Sequence, residues 1–320
     1  MPRISIVMAN YNYGRFLPTA VESVLAQSFA DWELIIVDDG SSDDSHAVIQ
    51  RYLDDERIRF HAVSHLGQPA AKNEGLSLCR GEFVAFLDAD DAWHPAKLQK
   101  QINLFGSRSA LGIVCTGREL MNERGEASPY RQPPLPRGWV LAELFRDNFI
   151  CFSSVMVRRQ VFEHVGGFDP RLDLAIDYDL WLRAAAHYEV ESIDEPLVRY
   201  RVGHANLSRR LGERIKTALW IMRRFERQRQ IHHVDPKSIC RAFAETTCSM
   251  AYALRPFSMR DAAGWFLRSL RHDPAYRPAW RGLASLLVPP IARRLFRRLA
   301  GRRADWDAGY ARTENDPRLV

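Results

Sequence analysis

The first hundred residues alternate short apolar runs with segments of helical periodicity, and this alternation limits the possible folds more than any other feature. The helical patterns lie near 16–27, 42–53 and 69–78, and the apolar runs are ISIVMA, WELIIVDD, IRFHAV and FVAFLDAD. Each parallel strand pair needs a crossover that covers the sheet, usually a helix. The order therefore predicts an α/β fold with a mostly parallel sheet and helices on both faces.

In such a sheet the residues that follow the strands reach one common edge. These residues are 9–12, 38–41, 65–68 and 88–91. Open α/β sheets bind their ligands beyond the carboxyl ends of the strands. A dehydrogenase would carry a G-x-G-x-x-G turn after the first strand, but ANYNYGRF has one glycine. The pattern therefore disfavours a hydride-transfer enzyme and predicts another ligand at this edge.

The fourth apolar run ends in three carboxylates, Asp88, Asp90 and Asp91. Carboxylates this close repel one another, and a hard cation such as Mg²⁺ or Mn²⁺ relieves the repulsion while leaving positions open for phosphate oxygens. This pattern suggests a metal-bound diphosphate. A solvated acidic turn, with Asp91 as the N-cap of the following helix, explains the same residues without a ligand.

Composition places the chain among soluble or peripheral proteins. No apolar run approaches the roughly 20 residues that span a bilayer, and no secretory segment opens the sequence. Five widely spaced cysteines without a C-x-x-C pair suggest neither a disulfide framework nor a zinc site, and favour the reducing cytoplasm. Residues 1–200 contain 20 Lys and Arg against 29 Asp and Glu, whereas residues 201–320 contain 25 against 10. No motif supports nucleic-acid binding.

The remainder of the chain predicts a loop-rich segment and then a helical region. Residues 106–150 look irregular, with proline-rich SPYRQPPLPRGW, and we interpret them as a mobile loop near the active site. Strand and helix patterns return from residue 151, and helical spacing continues from about residue 211. The tail IARRLFRRLAGRR has the pattern of a basic amphipathic helix, which suggests peripheral contact with an anionic membrane or a charged face packed on its own domain.

Several motifs in order resemble family 2 glycosyltransferases of the GT-A fold, over roughly residues 3–208. They are SIVMANYNYGRFL, WELIIVDDGSSDDS, AAKNEGL, GEFVAFLDADD, GGFDPRL, DYDLWLRA and YRVGHANLS. The resemblance implies an enzyme that transfers a sugar from a nucleotide-diphosphate sugar with inversion at the anomeric carbon. It also implies two regions, a GT-A domain at 1–208 and a helical, basic region at 209–320.

The resemblance assigns the donor nucleotide to five residues. Asp39 would accept a hydrogen bond from the imide N–H of a pyrimidine, with Ala9 and Tyr11 as floor and wall of that site. Lys72 replaces the arginine of the family's ARN-x-G pattern and would face the diphosphate. Asp88 would contact the ribose.

The resemblance also implies a metal and a base. Asp90 would bind the Mg²⁺ or Mn²⁺ that bridges the phosphates, with His204 as a further candidate ligand and Arg201 as a counter-charge. Asp177 would be the general base, although Ile176 stands where the family carries a glutamate and Asp179 is the competing candidate. Both aspartates also suit a helix N-terminus. Trp181 would pack an acceptor or lie in the core.

The expected activity is a metal-dependent transfer from a UDP-sugar, or else a dTDP-sugar, to the hydroxyl of a glycan or lipid-linked acceptor in surface polysaccharide synthesis. Two alternatives remain. One is a sugar nucleotidyltransferase, although ANYNYGRF lacks the glycine- and arginine-rich phosphate loop of that class. The other is a non-catalytic binding or assembly subunit. The expected location is the cytoplasm, either free or with peripheral attachment to the cytoplasmic face of the membrane.

Overall fold

The computed structural model describes residues 1–106, 108–203, 210–228, 230–231 and 234–287. The chain divides into two compact units. The first comprises Met1–Leu144 and Asn148–His204, and the second comprises Phe145–Asp147 and Ala205–Val320. The division predicted between residues 208 and 209 falls beside this boundary, in a stretch outside the described residues.

The first unit contains one mixed sheet flanked by short helices. Its strands are β1 (Ile4–Asn10), β2 (Trp32–Asp38), β3 (Ile58–Ala62), β4 (Phe83–Phe86), β5 (Ala92–Trp93), β6 (Leu111–Met121), β7 (Ala127–Ser128), β8 (Met156–Arg158) and β9 (Glu189–Arg201). Its helices are α1 (Leu17–Leu25), α2 (Ser45–Gln50), α3 (Gln68–Ser77), α4 (Lys97–Phe105), α5 (Leu141–Arg146), α6 (Arg159–Val165) and α7 (Ile176–Ala185), of which α5 has its last two residues in the second unit.

The strand order β3-β2-β1-β4-β8-β6-β9-β5 confirms the α/β prediction. The first four strands in this order run parallel, as the alternation of elements predicted. Beyond β4 the direction reverses, because β8 pairs antiparallel with both β4 and β6, while β6 and β9 run parallel. The sheet is therefore mixed. Its parallel part carries the four loops that the sequence placed at one edge.

Both faces of the parallel part are buried because strand side chains alternate between them. On one face Ile4, Ile6 and Met8 of β1 belong to the main hydrophobic core, together with residues of α1, α2 and α4. On the other face α3 lies so close to β1 that a Cβ built on Gly75 would come within 2.5 Å of Val7 Cγ1. Helices thus cover both faces, as expected.

The interpretation of 106–150 as irregular was wrong for β6, an eleven-residue strand buried along most of its length. Gly112 and Gly117 obscured it, because glycine normally weakens a strand. A Cβ on Gly117 would lie 2.8 Å from the Asp194 carbonyl oxygen, so glycine permits close approach of β9 at a register shift. The proline-rich segment has contacts of its own along β9, including a bridge between Gly138 and Val190.

The second unit is helical, as the spacing predicted. It contains α8 (Leu211–Arg227), α9 (Pro236–Leu254), α10 (Met259–His272) and α11 (Arg277–Leu287). Phe266 of α10 lies in a small core with Ala244 and Cys248 of α9 and Ala279 of α11. No described helix is both long and apolar enough to cross a bilayer. The arginine-rich tail lies outside the described residues.

We expect the substitution Gly81→Ala to lower the free energy of unfolding by about 1–3 kcal/mol, the usual range for overpacking. A Cβ there would lie 2.6 Å from Ser5 N and 2.9 Å from the Ile4 carbonyl carbon, so backbone rather than a side chain must move. Gly264→Ala is the matched control, because nothing lies within 4 Å and the helix gains about 1 kcal/mol. Urea denaturation measures both variants. Equal stability of Gly81→Ala and the natural protein would contradict the packing described here.

Candidate active site

Asp39, predicted for base recognition, ends the second parallel strand and faces the loop after β3. Its side chain is only 4% exposed. The carboxylate accepts hydrogen bonds from Leu66 N at 2.6 Å and Gly67 N at 3.0 Å, and His65 Nδ1 lies 3.1 Å away. Tyr11 stacks on the His65 ring with 4.2 Å between centroids. The structure therefore brings Tyr11 and Asp39 to one imidazole, with Tyr11 stacked on a face of the ring and Asp39 at its Nδ1 edge.

The neighbouring Asp38 holds the first two loops in place. Burial raises the pKa of Asp38, but hydrogen bonds from Ser41, Asn10 and His46 outweigh burial and leave this pKa below its ordinary value. Asn10 also precedes the tight turn that carries Tyr11, and Ala9 pairs with Val37 in the same ladder. Asp38 thus stabilises the edge on which Ala9 and Tyr11 lie.

The three carboxylates after β4 lie together. The ligand atoms of Asp88, Asp90 and Asp91 are all within 4.8 Å of one another. Burial is the main cause that raises the pKa of Asp91 well above its usual range, and repulsion from Asp90 and Asp88 adds to it. The same three carboxylates, together with burial, raise the pKa of Tyr13. Their negative charge is therefore concentrated and poorly solvated.

Lys72 reaches this cluster from α3. Its Nζ lies 2.9 Å from Asp88 Oδ1 and 3.4 Å from the centre of the Phe152 ring, and its side chain is 3% exposed. Burial is the main cause that raises the pKa of Asp88, and repulsion from Asp90 and Asp177 raises it further. The Lys72 ammonium lowers the same pKa. Lys72 is therefore a buried lysine paired with Asp88.

The prediction that Asp91 caps the next helix was wrong. Strand β5 intervenes, and α4 begins only at Lys97. Asp91 is 1% exposed and accepts hydrogen bonds from Ser153 Oγ at 2.6 Å and from Arg201 N at 2.8 Å. It therefore joins the acidic cluster to the loop before β8 and to the end of β9.

Arg201, considered as a counter-charge for the diphosphate, is buried against the same cluster. Its Nε donates to the Asp90 carbonyl oxygen at 2.7 Å, and its guanidinium also donates to the carbonyl oxygens of Asn122 and Glu123. These bonds fix the backbone that carries Asp90. His204, three residues further on, lies outside the described residues.

Asp177 is in the first turn of α7, where its carboxylate accepts a hydrogen bond from Asn148 Nδ2 at 2.9 Å. The helix is preceded by Ala175 in the left-handed conformation, with φ of 53°, which is costly for a residue with a Cβ. Such local strain persists only where the surroundings enforce it. Asp177 is close enough to Asp88 for its charge to contribute to the raised pKa of Asp88.

Asp179, the competing candidate, has a different environment. It is fully buried and paired with Arg183 at 3.0 Å, and Arg183 also donates to the carbonyl oxygens of Val165 and Gly167. Asp179 therefore anchors α7 to the end of α6. Trp181 is fully buried, which settles its role as a core residue.

Comparison with known proteins agrees with this geometry. The family model described as "Glycosyl transferase family 2" matches residues 5–166. The chain belongs to this family. An uncharacterized glycosyltransferase of Nostoc sp. is 33% identical over 220 residues, which are 64% of this chain and 66% of that relative. The putative teichuronic acid biosynthesis glycosyltransferase TuaG of Bacillus subtilis is 30% identical over 71% of this chain and 89% of the relative.

Solved structures show the same GT-A fold in this glycosyltransferase. S. aureus TarS 1-349 in complex with UDP-GlcNAc has a TM-score of 0.55 at 14% identity, over 87% of this chain and 90% of that one. The mannosyltransferase PcManGT from Pyrobaculum calidifontis, in complex with GDP-Man and Mn²⁺, has a TM-score of 0.56 at 16% identity, over 93% and 88%. The family membership makes the chain a glycosyltransferase, which sets aside the nucleotidyltransferase and the non-catalytic subunit.

Three residues of this glycosyltransferase site were missed by sequence reasoning: Tyr13, Asn148 and Ser153. Tyr13 is in the loop after β1, one residue beyond the edge residues 9–12, whereas His65 was among the edge residues but was given no role. Asn148 and Ser153 lie where the irregular segment meets β8, and no periodicity marked them. Only the tertiary structure shows that Asn148 contacts Asp177 and that Ser153 contacts Asp91.

Proposed function

We propose that this protein is a metal-dependent inverting glycosyltransferase that uses a UDP-sugar as donor. The observation that carries the proposal is the group of Asp88, Asp90 and Asp91 beside Lys72, with Asp177 of another element near enough to influence Asp88. The first four can hold a diphosphate with its cation, and Asp177 can accept a proton. Inversion requires these two functions to act from opposite sides of the anomeric carbon.

The residues present fit a hard divalent cation. The three side chains offer only oxygen atoms within 4.8 Å of one another, the donor set that Mg²⁺ and Mn²⁺ prefer. Burial and mutual repulsion raise the pKa of Asp88 and Asp91, and a cation would relieve that repulsion. We propose Asp90 as the principal ligand, with His204 as a further ligand. When bound, the cation would act as a Lewis acid that stabilises charge on the departing diphosphate.

The chain's own residues supply the remaining steps. Lys72 would add positive charge beside the departing diphosphate, while Asp88 would contact the ribose. The acceptor hydroxyl attacks the anomeric carbon, the bond from that carbon to the diphosphate oxygen breaks, and the hydroxyl proton passes to a carboxylate oxygen of Asp177. Asn148 is a positioning residue in this scheme, since its amide orients that carboxylate.

We propose uracil recognition by Asp39, with Ala9 and Tyr11 beside the base. The Asp39 carboxylate faces the stacked pair of Tyr11 and His65 and can accept from the imide N–H. UDP and UDP-GlcNAc in the TarS complexes support uridine, whereas GDP-Man in PcManGT shows that this fold also holds guanosine. The name of TuaG supports a role in cell-envelope polysaccharide synthesis on a glycan or lipid-linked acceptor.

The cytoplasmic location also belongs to this proposal. It rests on the use of a sugar nucleotide and on the sequence pattern of the cysteines. Peripheral attachment through the arginine-rich tail rests on sequence alone, because the tail lies outside the described residues. Vesicles with anionic lipids, mixed with the full chain and with a chain ending at residue 290, test the attachment. Equal vesicle binding by both chains would refute it.

The experiment for the whole proposal is a donor panel. UDP-, dTDP- and GDP-sugars are incubated with the protein and Mn²⁺ or EDTA, and thermal shift and sugar release are measured. We expect a Mn²⁺-dependent response that is largest for a UDP-sugar. A response confined to GDP-sugars would refute the uracil assignment. A response unchanged by EDTA would refute metal dependence.

We expect Asp39→Asn to weaken UDP binding by about 10–100-fold, because a hydrogen bond to a charged group contributes about 1.5–3 kcal/mol. The chemical control is 3-methyl-UDP, which lacks the imide N–H. The natural protein should discriminate against 3-methyl-UDP by a similar factor, and Asp39→Asn should lose most of that discrimination. Isothermal titration with Mn²⁺ measures both ligands. Full discrimination by Asp39→Asn would assign base recognition elsewhere.

A further inference from the structure

Arg118 lies in the middle of β6 between two aromatic rings. Its guanidinium carbon is 5.2 Å from the centre of the Tyr200 ring and 5.8 Å from that of Tyr130. Tyr200 is in the partner strand β9, and Tyr130 is in the segment that follows β7. Each of the three residues is partly exposed, whereas the Nε atom of Arg118 is buried.

The charge of Arg118 has no carboxylate partner among the residues that the structure describes. None of the ion pairs formed there includes Arg118, and its buried Nε has no hydrogen-bond partner. Its guanidinium interacts instead with the thiol of Cys151, which is a weak partner for a cation. Buried charges in proteins are normally paired, because removing a charge from water is costly. This arginine therefore lacks the partner that its burial calls for.

Two residues that contact Arg118, Cys151 and Tyr200, are close in sequence to residues of the candidate active site. Cys151 stands two residues before Ser153, which bonds to Asp91. Tyr200 immediately precedes Arg201, which bonds to the backbone of Asp90. Cys151 is close enough to Arg118, Asp91 and Asp88 for the charges of all three to influence its pKa. The guanidinium thus lies one side chain away from the acidic cluster, on the side of β6 and β9 rather than on that of the nucleotide residues at β1, β2 and β3.

We propose that Arg118, held between Tyr130 and Tyr200, binds a carboxylate or phosphate group of the acceptor. A guanidinium presents its N–H groups in a planar fork that matches both oxyanions. The aromatic rings hold this plane and exclude water around it. The inference rests on the proposed transferase function only for calling the ligand an acceptor. The anion site itself is independent of that function.

Anion binding is tested by NMR on protein labelled with ¹⁵N-arginine, at constant ionic strength set with sodium chloride. The probes are sodium glucuronate and inorganic phosphate, each up to about 10 mM, because a single small ion binds in the millimolar range. The Arg118→Met variant assigns the Arg118 Nε–H resonance. We expect this resonance to shift with at least one probe, and the responding probe identifies the chemistry. No shift with either probe overturns the proposal.

Thermal stability separates a ligand-binding role from a structural one. Replacing an unpaired buried charge by methionine should raise the melting temperature by about 2–4 °C in the absence of ligand. Arg158 is the matched control in β8, since it lies over Phe83 and Phe105 but is paired with Glu82. Arg158→Met should lower the melting temperature. A comparable loss in Arg118→Met would show a structural arginine and count against the proposal.

Transfer kinetics connect the site to the acceptor. With acceptors that carry the responding group, Arg118→Met should raise the acceptor KM about tenfold, while acceptors without the anion and donor hydrolysis should be unaffected. Arg118→Lys should keep the positive charge but lack the planar set of N–H groups, so it should retain only part of the affinity for the charged acceptor. An unchanged KM for charged acceptors overturns acceptor binding at this site. Failure of every donor would instead refute the proposed function and leave the NMR result valid.

Discussion

Replacement of Asp177 by asparagine is expected to lower kcat by about 10²–10⁴, the range that a positioned general base contributes. The amide keeps the size of the side chain and can still bond to Asn148, but it cannot take the proton of the acceptor hydroxyl. Donor binding should stay within about twofold, because in the proposed scheme the base touches the acceptor. Steady-state transfer and isothermal titration with UDP and Mn²⁺ measure the two effects separately.

The matched variant is Asp179→Asn, two residues along the same helix. Because Asp179 is fully buried against Arg183, loss of its charge should cost about 3–5 kcal/mol of folding free energy. It should have little effect on kcat per folded molecule. If Asp179→Asn lost catalysis in a folded protein while Asp177→Asn retained it, the assignment of the base would be reversed.

Asp90→Asn is expected to abolish Mn²⁺-dependent donor binding and to reduce transfer by at least about 10²-fold. The substitution removes one of the three negative charges that lie together, so the remaining carboxylates attract a cation less and repel one another less. Removal of a repelling charge should also bring the pKa of Asp91 closer to its ordinary value, since Asp90 helps to raise it. Titration of Mn²⁺ in the presence and absence of UDP measures the loss.

The control for Asp90→Asn is Asp54→Asn, an exposed aspartate in the turn before β3. It has the same change in net charge, but it lies at the opposite edge of the sheet. We expect full activity and an unchanged Mn²⁺ affinity. An Asp90→Asn variant that kept metal-dependent binding would show that the acidic cluster is only a buried polar network.

The fold of the first hundred residues could be predicted because the local sequence pattern of each element agreed with its place in the sheet. Apolar runs of strand length alternated with helices, and the first four strands form the parallel part of the sheet. The prediction failed where tertiary contacts override the local pattern. Strand β6 contains Arg118 and Gly117, which break its apolar run, and its pairing with β8 and β9 stabilises it.

The candidate site shows the same division. Positions at strand ends, such as Asp39 and Asp88, were accessible because strand polarity alone places them. The environments of Asp177 and Asp179 could not be predicted from the sequence. Both residues carry the same charge near one helix N-terminus and differ only in what packs against them. The identity of Asp91 as a buried link also depended on distant partners, Ser153 and Arg201.

The central claim is that one cation site and one proton acceptor share a cleft, and paramagnetic relaxation tests it directly. Protein labelled with ¹³C at the aspartate carboxyl groups is titrated with Mn²⁺ and UDP. We expect the signals of Asp88, Asp90 and Asp177 to broaden, while that of Asp55, before β3 at the opposite edge of the sheet, stays sharp. An Asp177 signal as sharp as that of Asp55 would contradict the account.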